Sequence, residues 1–130
     1  MGQSKPLRRA TAVVVEDEDE QRYLSAALLE ESEFDVVECA SAEHAMEIIK
    51  EKADEVALVF TDVQLAGDMD GVDLAKAVHE ELPDVSVIVT SGQGGPRLSE
   101  LPPGVDFVKK PWRAIDLLIK AEKAREHPVH

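Results

Sequence analysis

Cysteine is almost absent from this sequence: Cys39 stands alone, so no internal disulfide can form, and no paired cysteine or histidine spacing offers a metal site. A reducing cytoplasm is the expected setting. Aromatic residues are scarce too, at 4% against 44% apolar residues overall, which points to an aliphatic interior. Basic residues number 14 against 27 acidic ones, for a formal charge of −13. Direct binding to nucleic acid needs clustered Lys and Arg, so that class is set aside. The basic patch from Lys5 to Arg9 reads as a solvated leader. No apolar stretch approaches the roughly 20 residues of a membrane span, and residues 1–10 lack the apolar core of a signal peptide.

What is present alternates. With 130 residues there is room for one domain with a proper core. Short β-branched runs predict strands at Thr11 to Val15, Asp35 to Cys39, Val56 to Thr61, Val85 to Thr90 and Val105 to Val108. Between them lie helical patterns. The first carries Leu24, Ala27 and Leu28 on one face and starts from a cap at Asp17 or Asp19. The second opens on Ser41 as N-cap and places Ala42, Ala45, Met46 and Ile49 at helical spacing. A third, from Val72 to Glu81, is stopped by Pro83. From Gly92 to Gly104 the chain has four glycines and three prolines, so any helix there is short, over Arg97 to Leu101. The last helix runs from Arg113 to about Arg125. Alternating β and α units of this kind build a parallel sheet covered on both faces.

Acidic residues mark the strand ends. Glu16 and Asp17 directly follow the first strand and Asp62 follows the third, and in open α/β sheets ligands gather outside the carboxyl ends of the strands. Carboxylates sharing such a site repel one another, so they take up a proton or bind a cation, with Mg2+ the natural choice among oxygen-seeking ions. Ser91 closes the fourth strand and Lys110 follows the fifth. Asp68, Asp70 and Asp73 form a second acidic group, but their spacing fails the 12-residue calcium loop and they read as loop acids and a helix N-terminus. His44, His79, His127 and His130 are too scattered for a metal cluster. Trp112 reads as an anchor for the last helix, and Cys39 as a small buried residue.

Four fragments, in order and each at a strand end, carry a resemblance: Val13-Val14-Val15-Glu16-Asp17-Glu18, Phe60 to Gly71, Ile88-Val89-Thr90-Ser91-Gly92 and Phe107-Val108-Lys109-Lys110-Pro111. Together they resemble the receiver domain of two-component response regulators, of the stand-alone type, over Ala12 to Ala124. The resemblance implies a flavodoxin-like, doubly wound five-stranded parallel sheet in the order 2-1-3-4-5, with the fourth helix short or irregular. It implies a leader over 1–10, a receiver domain over 11–125 and a tail over 126–130.

By that resemblance Asp62 is the phosphoacceptor, fed by a histidine kinase or a histidine phosphotransfer protein, and the protein is a regulatory phosphoacceptor rather than an enzyme. Asp17 is implied as a direct Mg2+ ligand, Glu16 as one acting through a water, and Asp62 and the backbone carbonyl of Gln64 as further oxygens. Lys110 is implied as the cation for a phosphoryl oxygen, across a cis Lys110-Pro111 bond. Ser91 is implied as the switch hydroxyl and Phe107 as the aromatic that follows it, with an inward state eased by the absence of a phenolic hydroxyl. Ser91 is preferred to the neighbouring Thr90 because alternating side chains turn Thr90 the other way. Output passes through an unknown protein target, since the chain ends after its last helix, and a weak homodimer is compatible with the family.

Several positions depart from the family pattern. Glu16 replaces the usual Asp, Ala66 stands where Pro is common, the loop from Asp62 to Gly71 has one extra residue, and the Gly92 to Gly104 segment is shorter. Gln64 and Gln93 flank the path by which water would attack the phosphoryl group. Two rival classes fit the residues less well. An Mg2+-dependent phosphatase of the haloacid dehalogenase type needs a general acid two residues after its nucleophile, where Gln64 cannot serve. A receiver-like module that binds without being phosphorylated would not need Asp17, Asp62, Ser91 and Lys110 intact.

Overall fold

Strand β1 (Thr11–Val15) is buried along its whole length, with Ala12 and Val14 facing one side of the sheet and Val13 and Val15 the other. This alternation places the chain's interior on both faces of a single sheet. In the computed structural model, residues 9–92 and 96–125 are described. Gln93, residues 1–8 of the expected leader, and the expected tail 126–130 lie outside the described residues.

The elements follow in the order β1, α1 (Asp19–Glu31), β2 (Asp35–Cys39), α2 (Ala42–Glu51), β3 (Val56–Asp62), α3 (Gly71–Glu81), β4 (Ser86–Ser91), a 3-10 turn (Pro96–Glu100), β5 (Asp106–Lys109) and α4 (Ala114–Arg125). The sheet has five parallel strands in the order β2-β1-β3-β4-β5. That is the doubly wound arrangement expected from the sequence, with its order reversing beside β1 and β3.

One core packs α2 and α3 against Val13, Val15, Val59 and Val89, and the other packs α1 and α4 against Val14, Leu58, Phe60 and Ile88. Phe34, Leu29 and Leu117 are fully buried on the second side, each contributing about 1.5–3 kcal/mol of hydrophobic stabilisation. Trp112 packs there too, edge-on to Phe60 with ring centroids 5.7 Å apart, and so ties the start of α4 to β3. Cys39 is buried, and burial pushes its thiol up to about 11, which leaves it a small protonated hydrophobe.

Local signals settle most boundaries. The Ser41 side chain accepts from the His44 N–H, as expected of an N-cap. At α3 the cap is Asp70, paired reciprocally with Asp73 in a capping box, which is where the second acidic group is used. Three expectations are corrected. Glu18, not Asp17 or Asp19, occupies the N-cap position of α1, and its side chain makes no capping bond. Strands β4 and β5 each begin one residue later than the apolar runs suggested, because Val85 and Val105 close turns onto Leu82 and Pro102. The buried face of α1 is Ser25, Ala26 and Leu29, whereas Leu24 and Ala27 of the expected apolar face are exposed. The fourth helix is short, as expected: a 3-10 turn over Pro96–Glu100 that packs Leu98 on the core and is tied down by Arg97. Arg97 donates to Asp70 at 2.6 Å, Asp73 at 3.0 Å and Glu100 at 3.1 Å, which pins the turn to the start of α3.

Candidate functional site

At the carboxyl edge of the sheet, β1 ends into Glu16, β3 ends on Asp62, β4 ends on Ser91 and β5 leads into Lys110. Adjacent parallel strands bring these ends together whatever their distance in sequence. The Lys110 ammonium is the centre of the group: it donates to Asp62 Oδ2 at 2.7 Å, to Glu16 Oε1 at 3.2 Å and to Gln21 Oε1 at 2.7 Å. The peptide bond from Lys110 to Pro111 is cis, and the Lys110 N–H donates to the Ser91 carbonyl at 3.0 Å. Asp62 is nearly buried, and its other oxygen, Oδ1, accepts from the Gln64 N–H at 3.2 Å.

Glu16 is also buried, at 6% exposure, with Oε2 accepting from the Glu18 N–H at 3.2 Å. Burial raises its pKa to about 7; the Asp62 charge adds to the rise, while the Glu18 N–H and Lys110 oppose it. Burial also works against the charge on Lys110, but hydrogen bonds and charge from Asp62 and Glu16 outweigh it and hold the ammonium above its ordinary pKa. The pocket thus holds more negative charge than its one ammonium comfortably balances.

A linkage prediction follows from Glu16. Its folded pKa lies above the unfolded value of 4.5, so its contribution to stability is fully present below pH 4.5 and is lost as pH rises through 7. In chelator, Glu16→Gln should therefore gain on the wild type by up to about 1.4 kcal/mol per pH unit across that window. Urea titrations at pH 5 and pH 8 check this, and an equal difference between the two proteins at both pH values would refute it.

The structure brings together Glu16, Asp62, Ser91 and Lys110, as the strand ends predicted. Asp17 is exposed beside them, outside the hydrogen-bonded group, and among the described residues no three acidic side chains converge into a ready cation cage. Even so, the donor set is all oxygen, two of its carboxylates are buried with surplus charge, and an exposed acid adjoins them. Those features suit a hard cation such as Mg2+. Thr90 donates its hydroxyl to the Val108 carbonyl at 2.7 Å and is thereby used within the sheet, whereas Ser91 sits fully buried at the strand terminus. Phe107, on the edge strand β5, is 36% exposed.

Two residues at the site escaped the sequence reading. Gln21 reaches Lys110 from α1, and Glu43 on α2 accepts from the Asp68 and Met69 N–H groups at 3.0 and 2.9 Å, holding the lengthened loop after β3. Neither has a strand-end position or a charge pattern that would single it out; only the placement of the helices brings them in.

A doubly wound parallel sheet with a buried strand-end aspartate on a lysine, beside a further strand-end acid, defines an α/β protein with its charged cluster at the sheet's carboxyl edge. Within that class the chain belongs to the response regulator receiver domain family, whose model it matches over residues 12–122. It is 30% identical over 118 residues to the nitrogen assimilation regulatory protein NtrX of Azorhizobium caulinodans, covering 88% of this chain and 26% of that protein. It is 37% identical over 83 residues to the sensor kinase CckA of Brucella abortus, covering 64% of this chain and 9% of the kinase. The chain thus spans about a quarter or less of the curated relatives it matches. Among solved structures it is similar to the receiver domain of NtrX from Brucella abortus, at 31% identity with a TM-score of 0.78 over 90% of this chain and 99% of that one. A response regulator receiver protein from Sinorhizobium medicae, at 22% identity and a TM-score of 0.83 over 92% of this chain and 96% of that one, shares the fold.

Proposed function

We propose that Asp62 accepts a phosphoryl group from the phosphohistidine of a histidine kinase or a histidine phosphotransfer protein, within a receiver unit spanning residues 11–125. The observation that carries this reading is the Lys110 ammonium 2.7 Å from Asp62 Oδ2. A cation is already in place where a phosphoryl oxygen would arrive. A carboxylate oxygen of Asp62 attacks phosphorus, the phosphorus–nitrogen bond of the donor breaks, and the imidazole leaves with a proton from solvent. Such a displacement asks for positioning and charge neutralisation more than for acid–base chemistry. Lys110 supplies one positive charge from the chain itself.

When bound, Mg2+ would neutralise further charge on the phosphoryl oxygens. Asp17 and Asp62 would hold it directly, Glu16 through a water, and the Gln64 carbonyl would add an oxygen. Ser91 donates its hydroxyl to the phosphoryl group, and Phe107 follows it inward. That movement reshapes the surface around the 3-10 turn, β5 and α4, through which a cytoplasmic protein target is engaged. Among the described residues, no helix is long and apolar enough to cross a membrane.

The test is incubation of the protein with Mg2+ and a small acyl-phosphate donor. A base-labile mass gain of one phosphoryl group is expected. Continuous turnover of a phosphomonoester would instead mark a phosphatase, and a protein that binds partners but never takes label would be a receiver-like binding module. A thermal-shift measurement gives a second check, since a ligand held only by the folded state stabilises it, by about 2.7 kcal/mol at a hundredfold excess over Kd. Mg2+ should raise the Tm of the wild type and much less that of Asp17→Ala, whose exposed side chain can be removed at little cost to the fold. Equal shifts in the two proteins would remove Asp17 from the metal site.

A further inference from the structure

The third acceptor on the Lys110 ammonium is an uncharged residue of α1, the helix whose Arg22 also donates to the Glu16 carbonyl at 3.0 Å. Lys110 has three N–H groups, and each has a partner: Asp62, Glu16 and Gln21. Asp62 and Glu16 are the groups whose charge changes when phosphate or a cation arrives. Gln21 is the partner that neither event alters.

How Gln21 is held makes it more than a chance contact. Its amide nitrogen donates to Glu18 Oε2 at 2.7 Å, which turns the amide oxygen toward Lys110. An amide placed between a carboxylate and an ammonium has one orientation that satisfies both. Glu18 is the residue at the N-cap of α1, and its side chain makes no capping bond. A carboxylate at that position ordinarily serves the helix's free N–H groups; here it orients Gln21 instead. The row Glu18, Gln21, Lys110, Asp62 therefore runs from the first turn of α1 to the reacting carboxylate.

We infer that Gln21 is a positioning residue for phosphoryl transfer, keeping the Lys110 ammonium at Asp62 while the charged partners exchange. This rests on the assignment of Asp62 as phosphoacceptor. As a phosphoryl group arrives, the ammonium leaves a carboxylate oxygen for a phosphoryl oxygen. With Gln21 in place it pivots about a fixed third bond. Without that bond, the long lysine side chain has rotamers that take it into solvent, and the site must order it anew in each transfer.

Gln21→Met keeps the length and removes the acceptor. Its labelling rate from a small acyl phosphate with Mg2+ should fall about tenfold, in keeping with the loss of one hydrogen bond to a charged group in a partly open site. The Lys110→Met background should abolish that difference, since two residues acting through one contact are not additive. The second readout needs no phosphorylation: in 15N-lysine-labelled protein the Lys110 ammonium signal should be slowed in exchange in the wild type and fast in Gln21→Met. Either an unchanged ammonium signal or an unchanged labelling rate in Gln21→Met overturns the inference, as does a tenfold loss that persists without Lys110. Failure of the phosphoacceptor assignment looks different, because the wild type itself would then take no label while the ammonium signal still reported the Gln21 contact.

Discussion

Asp62→Asn is expected to take no phosphoryl label from an acyl-phosphate donor under conditions that label the wild type to one group per chain. The Asp62 carboxylate is held at both oxygens, by Lys110 at 2.7 Å and by the Gln64 N–H at 3.2 Å, so the proposed nucleophile is ordered before any donor arrives. An amide of the same shape keeps the packing but has no anionic oxygen to attack phosphorus. The other acids nearby are placed differently. Glu16 faces the same lysine, yet burial and the Asp62 charge raise its pKa to about 7, so it is only partly ionised near neutral pH. Asp17 and Glu18 are exposed. The fold should survive, because Lys110 retains Glu16 and Gln21 as partners. Intact mass measurement before and after mild base decides the matter. Label retained in the Asn variant would move the phosphoacceptor elsewhere.

The second large effect is structural and arises at Gly71. A Cβ on this residue would stand 1.9 Å from the Asp62 carbonyl oxygen, 2.7 Å from its carbon and 2.8 Å from the Val63 Cα. All three are backbone atoms of the strand end, and none can rotate away. Gly71 is buried as the first residue of α3, and its N–H donates to the Val63 carbonyl at 2.8 Å, so helix and strand are drawn together at the point where a side chain would separate them. Its requirement is space, not a left-handed backbone. Gly71→Ala should destabilise by about 3 kcal/mol or more, the upper part of the range for forced overpacking. Because the displaced atoms belong to Asp62, the labelling rate should fall as well. Gly92→Ala is the control: among the described residues its added Cβ would meet only the Lys110 Cβ, at an ordinary 3.7 Å, so urea unfolding should barely change. A Gly71→Ala protein as stable as that control would show that α3 can slide at no cost.

Much of this was legible in the chain because burial and periodicity act locally. Runs such as Ala12 to Val15 read as strands since β-branched residues suit a pleated, buried surface, and Ser41 read as a cap because its hydroxyl serves an N–H within the same turn. Boundaries slipped where the local signal was shared. Val85 and Val105 are as apolar as the strands they precede, yet their N–H groups close turns. Glu18 had no distinguishing mark among the consecutive acids that follow β1, and its carboxylate goes to Gln21 rather than to the helix.

By itself, the sequence determined the doubly wound architecture and the gathering of Glu16, Asp62, Ser91 and Lys110 at one edge, because parallel strands must end on the same side of their sheet. Tertiary structure alone decided what those groups do to one another. Burial shifts Glu16 and seats Lys110 between two acids, while Asp17 is left exposed although it is Glu16's immediate neighbour. The approach of α1, α2 and the 3-10 turn adds Gln21 to the lysine and sets Glu43 and Arg97 on the loop and helix that follow β3. Those contacts depend on distances across the fold, which no spacing along the chain encodes.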